Sequence, residues 1–211
     1  MIANLTLQIE NQPGFTLMNY SQAPAIQDQL AQATKEIYQE HQQLLKSVNF
    51  EQLDNLITEI NSSNKIFLMG MGRSGLMMKA AAMRLMHLGF DAYVVGETTT
   101  PAIAEDDLLI TGSGSGSTKS IVRAAKTAKE AGAKNICFTA VRTSQLAQLS
   151  DHIIFIPAQQ KQELNTQLSA QYAGSLFEQA LLMFFDAAIQ VLWKSGGSSS
   201  AELWQRHANL E

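Results

Sequence analysis

Residues 65–75 read KIFLMGMGRSG: an apolar run, Lys65-Ile66-Phe67-Leu68-Met69, delivers the chain into Gly70-Met71-Gly72-Arg73-Ser74-Gly75. Short apolar runs that end in glycines and open into a helical pattern are the strand–turn–helix unit of a parallel sheet. As a string, GMGRSG also matches GxGxxG, the turn that holds a dinucleotide in Rossmann folds. The fold follows from repeating this unit along the chain, and the function follows from deciding what the turn holds.

Four more apolar strand runs follow, the first of them leading into a loop rather than a helix. The apolar runs DAYVV (91–95), DLLITG (107–112), KNICFTA (134–140) and DHIIFIP (151–157) read as strands. Helical patterns occupy 74–88, 118–131, about 144–150 and 172–194, with a short helix after that. Continuous apolar strands between helices predict an α/β fold, a five-stranded parallel sheet sandwiched between helices and doubly wound. Before the first strand, a helix over about 50–61 carries Phe50, Leu53, Leu56, Ile57 and Ile60 on one side. From Ile26 to Val48 the apolar positions recur mostly by threes and fours, a helix with a seam. Residues 1–24, with Pro13-Gly14 and Pro24, read as a loose leader, and 25–211 as one domain.

The composition bounds the function. The 211 residues are 45% hydrophobic and 16% charged, with net charge −4, which argues against nucleic acid as a partner. The single cysteine, Cys137, lies in an apolar run and reads as a buried structural thiol, in keeping with a reducing cytoplasm. The N-terminus has no basic stretch followed by a long apolar one, so it does not read as a secretion signal. The apolar stretch 172–193 carries Glu178, Gln179, Asp186 and Gln190, which are costly in hydrocarbon, so it reads as a core or interface helix rather than a membrane span.

Two loops carry the candidate chemistry. Gly70–Gly75 follows the first strand, and Ser113-Gly114-Ser115-Gly116-Ser117-Thr118 follows the third. Each opens a helix. Glycines allow close backbone approach, helix N-termini attract anions, and hydroxyls add neutral donors. Gly72, Ser74, Ser113, Gly114, Ser115, Gly116, Ser117 and Thr118 are therefore candidate ligands of one phosphate. The dinucleotide reading stays open, because Glu97 stands just past the second strand, where a ribose-binding acid belongs. It leaves the second serine loop without a purpose. Neither loop contains the Gly-Lys-Ser/Thr of a P-loop.

The two loops, GxGRSG and SGSGST, resemble the phosphosugar-binding segments of the sugar isomerase (SIS) domain. More narrowly, MGRSGLMMKAAAMRLMHLGFDAYVVGETTTPAI (71–103), GSLFEQALLMFFDA (174–187) and RHANLE (206–211) resemble the 6-phospho-3-hexuloisomerase family. The resemblance runs from about Ile26 to Glu211. It implies a tetramer that isomerises D-arabino-3-hexulose 6-phosphate to D-fructose 6-phosphate after formaldehyde fixation, in the ribulose monophosphate pathway. The chain departs from the family at Ser117, where an acidic residue is usual, and at Thr111-Gly112, where bulkier apolar residues are usual. A regulatory phosphosugar-binding module is a further reading, although 1–64 lacks a basic recognition helix.

Moving a carbonyl between adjacent carbons needs a base and a group to carry oxygen protons, and no redox cofactor. Glu178 is the candidate base. Leu182, Phe185 and Ile189 follow it at helical offsets, which puts the carboxylate on an apolar stripe. Of the histidines, His41 and His152 read as packed. His87 and His207, in the family-like motifs, are candidate proton carriers, and either could act from a neighbouring subunit. Arg73, Glu97 and Thr98 are candidate sugar contacts. No histidine has metal-ligand spacing with another, and neither metal nor cofactor is expected.

Overall fold

The computed structural model describes residues 24–159 and 169–210. The expected leader lies almost wholly outside them. The chain divides into two units, Met1–Glu36 and Ile37–Glu211. The first contributes, among the described residues, the opening of helix α1 (Ile26–Ser47); all that follows concerns the second.

That unit alternates strands and helices as the pattern predicts. After α2 (Glu51–Ser62) come β1 (Ile66–Gly70), α3 (Gly72–Leu88), β2 (Ala92–Val94), β3 (Leu108–Gly112), α4 (Lys119–Glu130), β4 (Lys134–Thr139), α5 (Gln145–Leu149), β5 (His152–Phe155), α6 (Ser175–Gly196) and α7 (Ser200–Trp204). Helix α3 starts two residues earlier than its periodicity suggests, so Arg73 and Ser74 lie in its first turn. The strands form one parallel sheet in the order β2-β1-β3-β4-β5.

Both faces of the sheet are covered, which is why the strands show no polar alternation. Ile66, Leu68, Leu108, Ile110, Ile136 and Phe138 pack with Met78 and Leu85 of α3 and Phe177, Leu181 and Phe184 of α6. The residues between them, Phe67, Leu109 and Cys137, pack on the opposite face with Ile121 and Ala125 of α4 and Leu146 of α5. Cys137 is fully buried, and burial pushes its thiol up to about 11, too high for it to form a reactive thiolate at neutral pH.

The strand order sets the position of the site. From β1 the chain crosses to β2 on one side and then returns to β3 on the other, so the topological switch point lies between β1 and β3. In the β1–β3 register, Gly70 stands opposite Gly112. The two loops predicted to share a ligand therefore leave the sheet side by side. Helix α6, long and apolar enough to cross a membrane, lies half-buried within the protein as a core helix.

Candidate active site

The glycines of the first loop have separate purposes. A Cβ on Gly75 would lie 2.8 Å from the Gly70 carbonyl oxygen, and one on Gly70 would lie 2.9 Å from Met78 Cγ. These two let α3 start against the end of β1. Gly72 has open space around it and a φ of +59°, so its contribution is the backbone turn itself. In the second loop Gly116 needs both properties. Its φ is +59°, and a Cβ there would overlap Ser144 Oγ and approach Thr139 Oγ1.

The second loop is tied back to the sheet. Thr139 Oγ1 donates to the Gly114 carbonyl at 3.3 Å, and Ala140 N–H donates to the same oxygen at 3.0 Å. Ser113 Oγ accepts from Gly116 N–H at 3.2 Å and lies 3.4 Å from Thr118 Oγ1. Thr118 is the N-cap of α4, but its hydroxyl caps no backbone N–H of that helix. Ser117, the residue that departs from the family pattern, is exposed and bonds Ser115 Oγ at 3.1 Å.

Between the loops lies a cavity of about 210 Å³. Of the eight candidate phosphate ligands, Ser74, Ser113, Gly114, Ser115 and Thr118 line it, and Gly72, Gly116 and Ser117 do not. Met71, Gly112, Ile121, Gln159, Gly174 and Phe177 complete its wall. Sequence reading missed Gln159 and Phe177. Gln159 follows the last strand in a polar stretch without a motif, and Phe177 looks like any core aromatic. A clue to Phe177 was its place beside Glu178, in the segment already assigned to the site.

Glu178 lies in the first turn of α6 and is 2% exposed. This position differs from the expectation, which started the helix at 172 and put Glu178 beyond its first turn. Arg73 Nη1 donates to Glu178 Oε2 at 3.0 Å. Arg73, expected to contact the sugar, thus pairs with the candidate base. Neither residue lines the cavity, but each is next in sequence to one that does, Arg73 to Ser74 and Glu178 to Phe177.

The remaining candidates lie elsewhere. Glu97 pairs with Lys79 at 2.6 Å, and both side chains are about half exposed. Neither Glu97 nor the exposed Thr98 is among the residues lining the cavity. His87 is buried at the far end of α3, thirteen residues from Ser74, which is roughly 20 Å of helix. His207 stacks on it with ring centroids 3.9 Å apart, and Trp204 lies against His207 at 4.8 Å. Burial first, then electrostatic repulsion from His207 and Arg84, holds the His87 imidazole below its usual pKa. His87 and His207, either of them the expected proton carrier from this chain or a neighbouring subunit, thus stand the length of α3 away from the serine loops of their own chain. His41 Nε2 lies 2.9 Å from Gln179 Oε1, and His152 Nε2 lies 3.2 Å from Glu59 Oε1, both side-chain contacts between elements. Among the described residues, no three His, Cys, Asp or Glu side chains are grouped to hold a metal.

The family model for the SIS domain matches residues 59–183, which span both loops and the start of α6. This chain belongs to the SIS domain family. A Mycobacterium gastri protein named 3-hexulose-6-phosphate isomerase is 49% identical over 164 residues, 78% of this chain and 82% of that one. A Bacillus subtilis protein of the same name is 46% identical over 78% of this chain and 89% of that one. A solved Methanococcus jannaschii structure, from which the same isomerase function was inferred, superposes with a TM-score of 0.71 at 34% identity. The match covers 87% of this chain and 99% of that one.

Proposed function

We propose that the chain is a phosphosugar isomerase that interconverts D-arabino-3-hexulose 6-phosphate and D-fructose 6-phosphate. The observation that carries this reading is the pairing of Gly70 with Gly112. It sets two serine-rich helix starts around one cavity, beside a buried carboxylate, in a chain nearly half identical to two proteins of that name.

The phosphate occupies the cradle. Hydroxyls of Ser74, Ser113, Ser115 and Thr118, with Ser117 at the rim, donate to it. First-turn N–H groups of α3 and α4 add their partial positive charge. Anchoring the phosphate fixes the carbon chain, and such positioning can contribute several kcal/mol to catalysis. Glu178 removes the proton from C2 of the 3-hexulose, giving the C2–C3 enediol, and returns a proton to C3. O3 gains a proton and O2 gives one up, so atoms and charge balance without a redox partner. Arg73, donating to Glu178 Oε2, orients the carboxylate between turnovers.

His87 and His207 reach the reacting oxygens only from a second copy whose α3 end stands against this cavity. A homo-oligomer, a tetramer by family resemblance, supplies that arrangement in a cytoplasmic enzyme. Glu97 and Thr98 take no part in the proton transfers.

The test is to incubate the protein with D-fructose 6-phosphate in heavy water. Deuterium entering C3, together with formation of the 3-hexulose phosphate, is the expected result. Absence of both, with a thermal shift caused by NAD and not by fructose 6-phosphate, would return the GxGxxG loop to dinucleotide binding.

A further inference from the structure

Helix α1 crosses the start of α6 with two polar residues in sequence, Glu40 and His41. The Glu40 carboxylate collects three donors from the segment just before α6: Ser169 Oγ at 2.8 Å, Ala170 N–H at 2.5 Å and Gln171 Nε2 at 2.8 Å. His41 Nε2 meets Gln179 Oε1, on the residue after Glu178. The bonds extend to the cavity wall, because Ser169 N–H also donates to Gln159 Oε1 at 3.2 Å, and Gln159 lines the cavity.

The backbone between Glu40's partners and the site is strained. Ala173 has a φ of +52°, a region that residues with a side chain rarely enter. Gly174 follows it as N-cap of α6 and lines the cavity, its carbonyl accepting from Glu178 N–H at 3.1 Å. Strain of this kind persists where the surroundings over-determine the conformation. Burial alone would raise the pKa of Glu40. The donors from Gln171, Ala170 and Ser169, with His41 nearby, outweigh it and hold the carboxyl below its usual range. The charge is thus fitted to this clamp.

We infer that Glu40 is a positioning residue: by clamping 169–171 it holds Ala173 in its strained conformation and so sets the cavity wall and the turn that carries Glu178. The inference rests on the proposed isomerase only for its kinetic readout. Glu40 touches neither the loops nor the cavity, and it acts through backbone more than 120 residues away in sequence.

The experiment compares the full chain with Glu40→Ala, Glu40→Gln, the double variant Ser169→Ala/Gln171→Ala, and Glu40→Ala combined with Ala173→Gly. Two readouts are used, fructose 6-phosphate turnover and amide hydrogen exchange of 170–178. Glu40→Ala should lower kcat/KM at least tenfold and speed exchange across 170–178 while β1 and β3 stay protected. Glu40→Gln, which keeps one acceptor oxygen, should fall between it and the parent. Ala173→Gly removes the drive to relax and should recover part of the lost kcat/KM in the Glu40→Ala background, which a general loss of stability would not allow. If Glu40→Ala fails to fold, the Ser169/Gln171 variant carries the same expectation with α1 intact. Kinetics within twofold of the parent and unchanged exchange would overturn the clamp. A parent without turnover removes the isomerase reading and leaves the exchange result to decide the clamp.

Discussion

Arg73 and Glu178 face each other at 3.0 Å across the first turns of α3 and α6, with the carboxylate 3% exposed and the guanidinium 46% exposed. A buried carboxylate with a half-exposed cation is an asymmetric pair. Removing the arginine takes a charged donor from a buried acid, whereas removing the acid leaves an arginine that water can solvate. Arg73→Ala should therefore cost about 1.5–3 kcal/mol of stability, the contribution of one hydrogen bond between charged groups. It should also lower kcat. Urea melts and turnover measured side by side check this, and a variant with parental stability and kcat would show that the pair is incidental.

Glu178→Gln keeps the shape of the side chain and removes the base. Loss of a general base typically costs ~10²–10⁴ in rate. We expect kcat to fall at least about a hundredfold with KM little changed, and deuterium incorporation at C3 of fructose 6-phosphate to fall in parallel. Near-normal turnover would return Glu178 to a structural role.

Ser74→Ala and Ser115→Ala each remove a donor to the phosphate. A hydrogen bond to a charged group contributes about 1.5–3 kcal/mol, so each KM should rise about tenfold or more. The fold should be intact, because Ser74 lies inside a helix and Ser115 is half-buried. Steady-state kinetics on both variants decide whether the two loops share one anchor.

The glycines separate backbone strain from close approach. Gly72→Ala meets open space and bears only the positive-φ penalty, about 1–2 kcal/mol. Gly116→Ala bears the same penalty and also strikes Ser144, whose hydroxyl accepts from Ala147 N–H at 3.2 Å as the cap of α5. Thermal melts should show Gly116→Ala as clearly the more damaging. Equal shifts would mean that the Ser144 contact relaxes freely.

His87 gives stability a pH dependence. Its folded pKa is lowered from the usual 6.5, by burial first and then by His207 and Arg84. Above 6.5 both folded and unfolded chains hold it neutral, and its contribution is fully present. As pH falls below 6.5 the unfolded chain takes up the proton more readily, so stability falls until the folded pKa is passed. Glu40, with a lowered carboxyl pKa, contributes stability that is fully present above its usual 4.5 and is lost only as pH falls below that value. Denaturant melts between pH 7.5 and 5 should show a loss that His87→Asn reduces. An unchanged slope in the variant would assign the loss to other groups.

The strand–helix alternation was legible because each strand is buried on both faces and so forms an unbroken apolar run. The serine loops were legible because glycine and serine at a strand end admit few other uses. Glu178 was legible as an acid on an apolar stripe. Its partner was not: nothing in the sequence links Arg73 to a residue 105 positions away, and only the meeting of α3 and α6 brings them together. The distance of the histidines from the loops was hidden for the converse reason. His87 and Ser74 lie in one motif-rich segment, but a straight helix holds its two ends apart. Glu40 gave no signal, since one acid on a polar helix face resembles any other.

Sequence by itself thus determined the elements and their order and marked the two loops as an anion-binding candidate, because hydrophobic periodicity, glycine and hydroxyl placement are local properties. Tertiary structure alone decided the strand order that sets Gly70 against Gly112, the pairing of Arg73 with Glu178, and the grip of Glu40 on 169–171. These depend on which surfaces pack together, and packing is settled by shape and burial summed over the whole chain rather than by neighbours in sequence.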